Sequence, residues 1–245
     1  MSLDKIPRAC SVIPKVLASR SSITLAQCLA VGLHLGHSPK VWNPAMNRFI
    51  YGVRQGIHII NLDHTLYALK RASLFTEQVA LRGGKIVFLG SRRFLHPVVV
   101  EAAFNGKAYF ITEWIGGMLT NKERTLKRSV GYDPNKLVQT MEEDEEEESN
   151  SKKRSGQPFV HSPDLVIILD YPNNLWAVKE CNYYGIPVIA LCDSDSDPTL
   201  VQYPIPGNDD SHAGVELVAQ VLSEASRKGC ETRETLPLTE INKLS

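Results

Sequence analysis

Three segments of the chain are apolar at nearly every position: residues 85–90 (KIVFLG), 164–170 (DLVIILD) and 186–192 (IPVIALC). Runs this short, without polar alternation, predict strands covered on both faces inside a parallel sheet. Shorter apolar runs at 57–62, 107–111 and 201–205 predict three more strands. Between the strands, apolar residues recur at helical spacing. Leu66, Leu69, Leu74 and Val79 mark a helix over 63–81, ended by Gly83-Gly84. Further helices are predicted over 97–104, from 173 or 174 to 184, and over 211–227. A first helix runs from a Thr24 cap through 25–35 and stops at Gly36. Strand and helix thus alternate, which defines an α/β class with a doubly wound parallel sheet flanked by helices. Ligands of such sheets sit at the carboxyl ends of the strands.

Two regions break the alternation. Residues 1–22 are basic and contain serines, with Asp4 the only acid and no continuous apolar stretch. They predict a basic leader of the organelle transit type, with a disordered basic arm as the plain alternative. Residues 133–162, including MEEDEEEESNSKKRSGQP, are of low complexity and predict a disordered acidic insertion. The α/β domain is therefore divided into 23–132 and 163–228, and 229–245 reads as a loose tail. No run of about 18 apolar residues predicts a membrane span.

Charge changes the picture. The formal net charge is zero, yet residues 1–130 hold 18 Lys and Arg against 6 Asp and Glu. The compensating acid is concentrated at 142–148. A basic body is the electrostatic footprint of nucleic-acid binding. The five cysteines are scattered without a C-x-x-C pair, which excludes a thiolate zinc site and fits a reducing compartment. Cys181 and Cys192 read as core thiols.

Candidate chemistry follows from two stretches. In 109–128, a strand turns through Trp114, Gly116 and Gly117 into a segment carrying Lys122, Arg124, Lys127 and Arg128. A Gly-Gly corner permits close backbone approach, and the helical spacing that follows gathers the cations on one face. Residues 40–54 read as a loop in which Trp42, Asn43, Arg48, Phe49, Tyr51 and Arg54 interleave, a pattern suited to unpaired bases and phosphates. Solvated basic and core-covering aromatic faces are the plain alternatives. Arg92 and Arg93 follow the strand at 85–90.

Enzyme signatures are sparse. No G-x-G-x-x-G follows a strand, and neither G-x-x-x-x-G-K-[ST] nor G-x-S-x-G occurs. Asp170 and Asp193 end strands and define the alternative, an enzyme or small-molecule binder. Asp193, Asp195 and Asp197 alternate as in a calcium loop, but Pro198 and Pro204 stand where Gly and Glu are needed; they leave room only for a loosely held Mg²⁺. Asp209-Asp210 reads as a helix cap. His34 and His37 have no carboxylate or thiolate nearby in sequence, so no metal site is assigned to them. An adaptor that docks through the acidic tract is a third reading.

Several long segments together resemble one family: LGHSPKVWNPAMNRFIYGVRQGIHIINLDHT, KIVFLGSRR, ITEWIGGMLTN, PDLVIILD, KECNYYGIPVIALCDSDSDP and IPGNDDS. In order along 24–228, they are similar to the universal S-two proteins of the small ribosomal subunit. WIGGMLTN resembles the bacterial and organellar branch, and with the basic leader it implies a mitochondrial member. The resemblance implies a flavodoxin-like fold and a structural, non-catalytic role, without a cofactor or small-molecule substrate. The implied partners are small-subunit ribosomal RNA and neighbouring ribosomal proteins. Trp42, Asn43, Arg54, Gly116, Gly117, Thr120 and Asn121 match family motif positions. With Arg48, Arg92, Arg93, Lys122, Arg124 and Lys127 they form the expected RNA-binding set. The family's helical hairpin is largely replaced here by the acidic tract.

Overall fold

The computed structural model describes residues 23–121 and 162–235. The predicted leader (1–22), the insertion up to residue 161, and Lys122, Arg124, Lys127 and Arg128 lie outside the described residues.

Five parallel strands form the central sheet: β3 (Ile86–Leu89), β4 (Tyr109–Ile111), β5 (Leu165–Ile168), β6 (Val188–Cys192) and β7 (Tyr203–Pro206). Their order is β4-β3-β5-β6-β7, the flavodoxin-like arrangement, which reverses direction between β3 and β5. Successive residues alternate between two cores. Ile86 and Phe88 join one, Val87 and Leu89 the other; Leu165 and Ile167 oppose Val166 and Ile168 in the same way. Because each face is covered, the alternation of a half-exposed strand never shows in the sequence. β7 is an edge strand bonded only to β6, which is why it accommodates Pro204 and Pro206.

One face is covered by α2 (Leu62–Leu81), α3 (His96–Asn105) and α5 (His212–Thr235). Among the described residues the other face is covered by α4 (Leu175–Tyr183), a 3-10 turn at Pro44–Phe49, and the segment around Leu119. No helix among the described residues is long and apolar enough to cross a membrane.

Three expectations are corrected. The first helix, α1 (Leu25–Ala30), ends earlier than predicted, because Gly32 takes φ +76° and turns the chain. The stretch 40–54 is not a loop throughout. Beyond the 3-10 turn it forms β1 (Ile50–Arg54), which pairs antiparallel with β2 (Ile57–Ile60) across Gln55-Gly56. Both turn residues have positive φ, 52° and 76°, as the tight hairpin turn demands. The predicted strand at 57–62 therefore lies outside the parallel sheet. Finally, α5 continues past Gly229 to Thr235 instead of fraying into a tail.

Gly229 is a contact, not a stop. A Cβ there would lie 2.4 Å from the Glu77 carbonyl oxygen and 2.6 Å from Ala80 Cβ, so its bare backbone lets α5 rest on α2. Gly229→Ala forces two backbones apart and is expected to cost about 1–3 kcal/mol. Urea unfolding of the purified chain measures this, and an unchanged midpoint would refute the close approach.

Candidate nucleic-acid interface

Among the described residues, the loops leaving the carboxyl ends of the strands carry six of the predicted binding residues. Arg92 and Arg93 follow β3, and Gly116, Gly117, Thr120 and Asn121 follow its neighbour β4. Trp42 and Asn43 reach the same edge from the N-terminal side, since the Asn43 N–H donates to the Ser194 carbonyl beyond β6 at 2.8 Å.

The crevice between β3 and β5, where doubly wound sheets commonly bind ligands, is filled by the protein itself. Asp170 Oδ2 accepts the N–H groups of Ser91 (2.8 Å) and Arg92 (3.0 Å). Its other oxygen accepts from Asn174 Nδ2, and Asn174 Oδ1 accepts from the Ser91 hydroxyl at 2.6 Å. Asp170 is fully buried. Burial raises its carboxyl pKa, opposed by those two N–H donors and by the Arg92 charge. The carboxylate thus stands where an anionic ligand would meet the backbone, with both oxygens engaged.

At the Gly-Gly corner the two glycines differ. Gly117 has φ +89° and requires glycine's freedom, whereas a Cβ on exposed Gly116 would meet nothing within 4 Å. Glu180 on α4 holds the turn: its buried carboxylate accepts from Gly117 N at 2.6 Å and Leu119 N at 3.0 Å. Leu119 is pressed into the core, and Thr120 and Asn121 emerge exposed. Sequence reasoning missed Glu180. Its only signal is a carboxylate in phase with the buried positions Ala177 and Cys181.

The remaining predicted residues separate into committed and open groups. Asn43 Oδ1 caps the 3-10 turn by accepting from Ala45 N at 2.9 Å. Trp42 is half-buried, its ring 5.2 Å from that of His58. Arg92 is held by Asp210 Oδ1 at 2.6 Å and Asp209 Oδ2 at 3.4 Å. Arg48 is exposed, its guanidinium 4.6 Å from the Phe49 ring centroid. Arg93 is exposed, and so is Arg54, which sits on the hairpin apart from the sheet.

A second cluster, unforeseen in the sequence, gathers around His37. Its Nδ1 lies 3.0 Å from Asp193 Oδ2 and its Nε2 3.3 Å from Asp210 Oδ2. Burial by itself would lower the imidazole pKa, but Asp193, Asp195, Asp210 and Asp209 hold it above its ordinary value. Burial pushes the Asp209 carboxyl up to about 7, against the pull of Arg92. The helix cap expected from Asp209-Asp210 is supplied instead by Ser211, whose hydroxyl accepts from Gly214 N at 3.2 Å. Of the alternating aspartates, Asp193 turns toward His37. Asp195 accepts from the Ser196 hydroxyl, and Asp197 caps Thr199 N at 3.0 Å.

Comparison with known proteins adds an independent line. The family model described as ribosomal protein S2 matches residues 28–229. The chain is similar to the small ribosomal subunit protein uS2m of Neurospora crassa, 39% identical over 220 residues that cover 87% of this chain and 48% of that protein. It therefore spans about half the length of the Neurospora relative. It is also similar to the small ribosomal subunit proteins uS2 of two bacteria. That of Shewanella loihica is 32% identical, covering 85% of this chain and 92% of the relative. That of Bdellovibrio bacteriovorus is 32% identical, covering 87% and 73%.

The Glu180 clamp makes the turn testable by itself. Glu180→Ala strips two N–H groups of their acceptor and is expected to cost about 2–3 kcal/mol. Gly117→Ala is expected to cost about 1–2 kcal/mol, and Gly116→Ala less than about 0.5 kcal/mol. Thermal and urea unfolding measure the series, and equal costs for the two glycine variants would contradict the geometry.

Proposed function

Because the chain belongs to the ribosomal protein S2 family, we propose that it is a structural component of the mitochondrial small ribosomal subunit and grips ribosomal RNA through the strand-end surface beside Gly116. Its role in the ribosome is structural. The observation that carries the RNA-binding reading is the exposed turn 116–121, which presents bare backbone at Gly116 and two polar side chains beside the loop that bears Arg93. Backbone N–H groups, small polar side chains and cations contact phosphate and sugar and fix register without reading bases. In sequence the chain continues with Lys122, Arg124 and Lys127, three further cations. Arg48 adds a cation near the same edge, while Arg92, Asn43 and Gly117 act by holding the surface in shape.

Placement in the mitochondrion is supported by the uS2m relative and by the basic, acid-poor first 22 residues. A non-catalytic role is supported by Asp170, whose oxygens are both spent on the protein's own donors. Neighbouring ribosomal proteins are the partners suited to the outer face of α4. Trp176 and Tyr183 there are 69% and 80% exposed, and Lys179 Nζ lies 5.0 Å from the Trp176 ring centroid. Exposed aromatics of this kind are enriched at protein interfaces.

Sucrose-gradient fractionation of mitochondrial lysate tests the reading. The chain is expected to travel with the small subunit at moderate salt, and a position at the top of the gradient in low and high salt would refute it. With the purified chain and small-subunit RNA, Arg93→Ala is expected to lower the salt slope of binding by roughly one. Gly116→Ala is expected to weaken binding roughly three- to tenfold by crowding the backbone against the RNA, with no change in melting temperature.

A further inference from the structure

Helix α3 is apolar on two opposite sides. Val98, Val99, Ala102 and Ala103 are buried where it meets β3, β4 and α5. Pro97, Val100 and Phe104 recur at helical spacing on the other side and face solvent. Val100 is 36% exposed and Phe104 55%. With His96 and Glu101 these three line an open cavity of about 490 Å³. A helix at a surface normally pairs one apolar stripe with a polar face, whereas a helix apolar all round is one that is covered all round. Glu101 is the only charged residue in α3. The outer stripe is therefore a binding face, and the chain itself supplies an occupant.

We propose that the carboxyl-terminal segment 236–245 (LPLTEINKLS), which lies outside the described residues, docks along this outer face of α3. Its point of departure favours it over the other two undescribed segments. α2 lies mainly on β7, α3 lies on β3 and β4, and α5 touches both helices between them. Residues 1–22 join the fold at α1, which packs on α2, at the far side of that layer. Residues 122–161 join it close to Leu119, in the core on the opposite face of the sheet, and their acidic block has the same sign as Glu101. The tail instead leaves α5 beside the carboxyl end of α3. Ser226 Oγ donates to the Gly106 carbonyl at 2.7 Å, and Lys107 Nζ lies 2.8 Å from Glu234 Oε1. Ser226 to Thr235 is about 13.5 Å of helix, and Phe104 back to Pro97 about 10.5 Å. That path of about 24 Å is within the span of about 33 Å that ten extended residues reach. The tail is apolar at Leu236, Leu238, Ile241 and Leu244, close to the three- and four-residue spacing of the stripe. Lys243 supplies a cation for Glu101. Docking takes Val100 and Phe104 out of water, which is the driving force.

The inference does not depend on the ribosomal reading, because it is tested on the isolated full-length chain. Phe104, an exposed position, is replaced by the photo-crosslinker p-benzoylphenylalanine, and the dilute chain is irradiated, digested and analysed by mass spectrometry. A crosslink from position 104 to a peptide within 236–245 is expected, on a chain of monomer mass. Ile241→Asp places a charge against the stripe and is expected to lower the yield roughly tenfold. Glu101→Lys is expected to lower it roughly twofold, and adding Lys243→Glu to restore it. Both substituted sites lie outside the packed core, so circular dichroism and melting temperature are expected to match the parent chain. Absence of the intrachain crosslink, a crosslink to a second copy at dimer mass, or an unchanged yield in Ile241→Asp would each overturn the proposal. So would a crosslink in mitochondrial lysate that reaches another protein while the isolated chain gives none to its own tail.

Discussion

The carboxylate of Asp170 fixes the geometry on which the functional edge of the molecule depends. It ends β5 and accepts the first two N–H groups of the loop that leaves β3. Those bonds close the switch point of the sheet and set the path of Ser91 and Arg92. Arg92 then reaches Asp209 and Asp210 beyond β7, and Asp210 reaches His37 from the segment before β1. Loops that follow three different strands, together with an N-terminal segment, are thus held by a chain of charge contacts anchored at one buried group. Burying that charge is expensive, and it is sustained because every oxygen meets a donor.

The same fold elsewhere leaves this crevice open to a ligand. Here the ligand's place is taken by a side chain, and the edge becomes a rigid surface instead of a pocket. Rigidity is what a structural component of a large assembly requires, since a loop already ordered loses little entropy on docking. The clamp of Glu180 on Gly117 and Leu119 follows the same logic on the other side of the sheet. It orders a turn whose outward residues, Gly116, Thr120 and Asn121, make few demands on the protein itself.

How much of this was legible in the sequence depended on range. Strands β3, β5 and β6 were legible because burial on both faces makes every position apolar, a purely local signal. The hairpin β1–β2 was half-hidden. Only Ile57–Ile60 reads as a strand, while its partner exposes Tyr51, Val53 and Arg54 and carries a register shift between Ile50 and Gly52. Gly229 misled, because a glycine inside a helix looks like an ending unless the facing helix is known. His37 misled for the same reason: Ser194, which receives its N–H, is 157 residues away. Motif arithmetic that searches for carboxylates near a histidine in sequence cannot find those that a parallel sheet brings beside it.

That limit also hides how differently adjacent basic residues are placed. Arg92 and Arg93 are adjacent and chemically alike, yet one is bound by two aspartates and the other is exposed. A guanidinium already paired has fewer N–H donors left for a further anion than an exposed one. Gly116 and Gly117 divide in the same way, one serving the backbone's conformation and the other the surface. Neighbours in sequence therefore differ in kind: Arg92 and Gly117 are engaged inside the protein, whereas Arg93 and Gly116 are exposed to solvent.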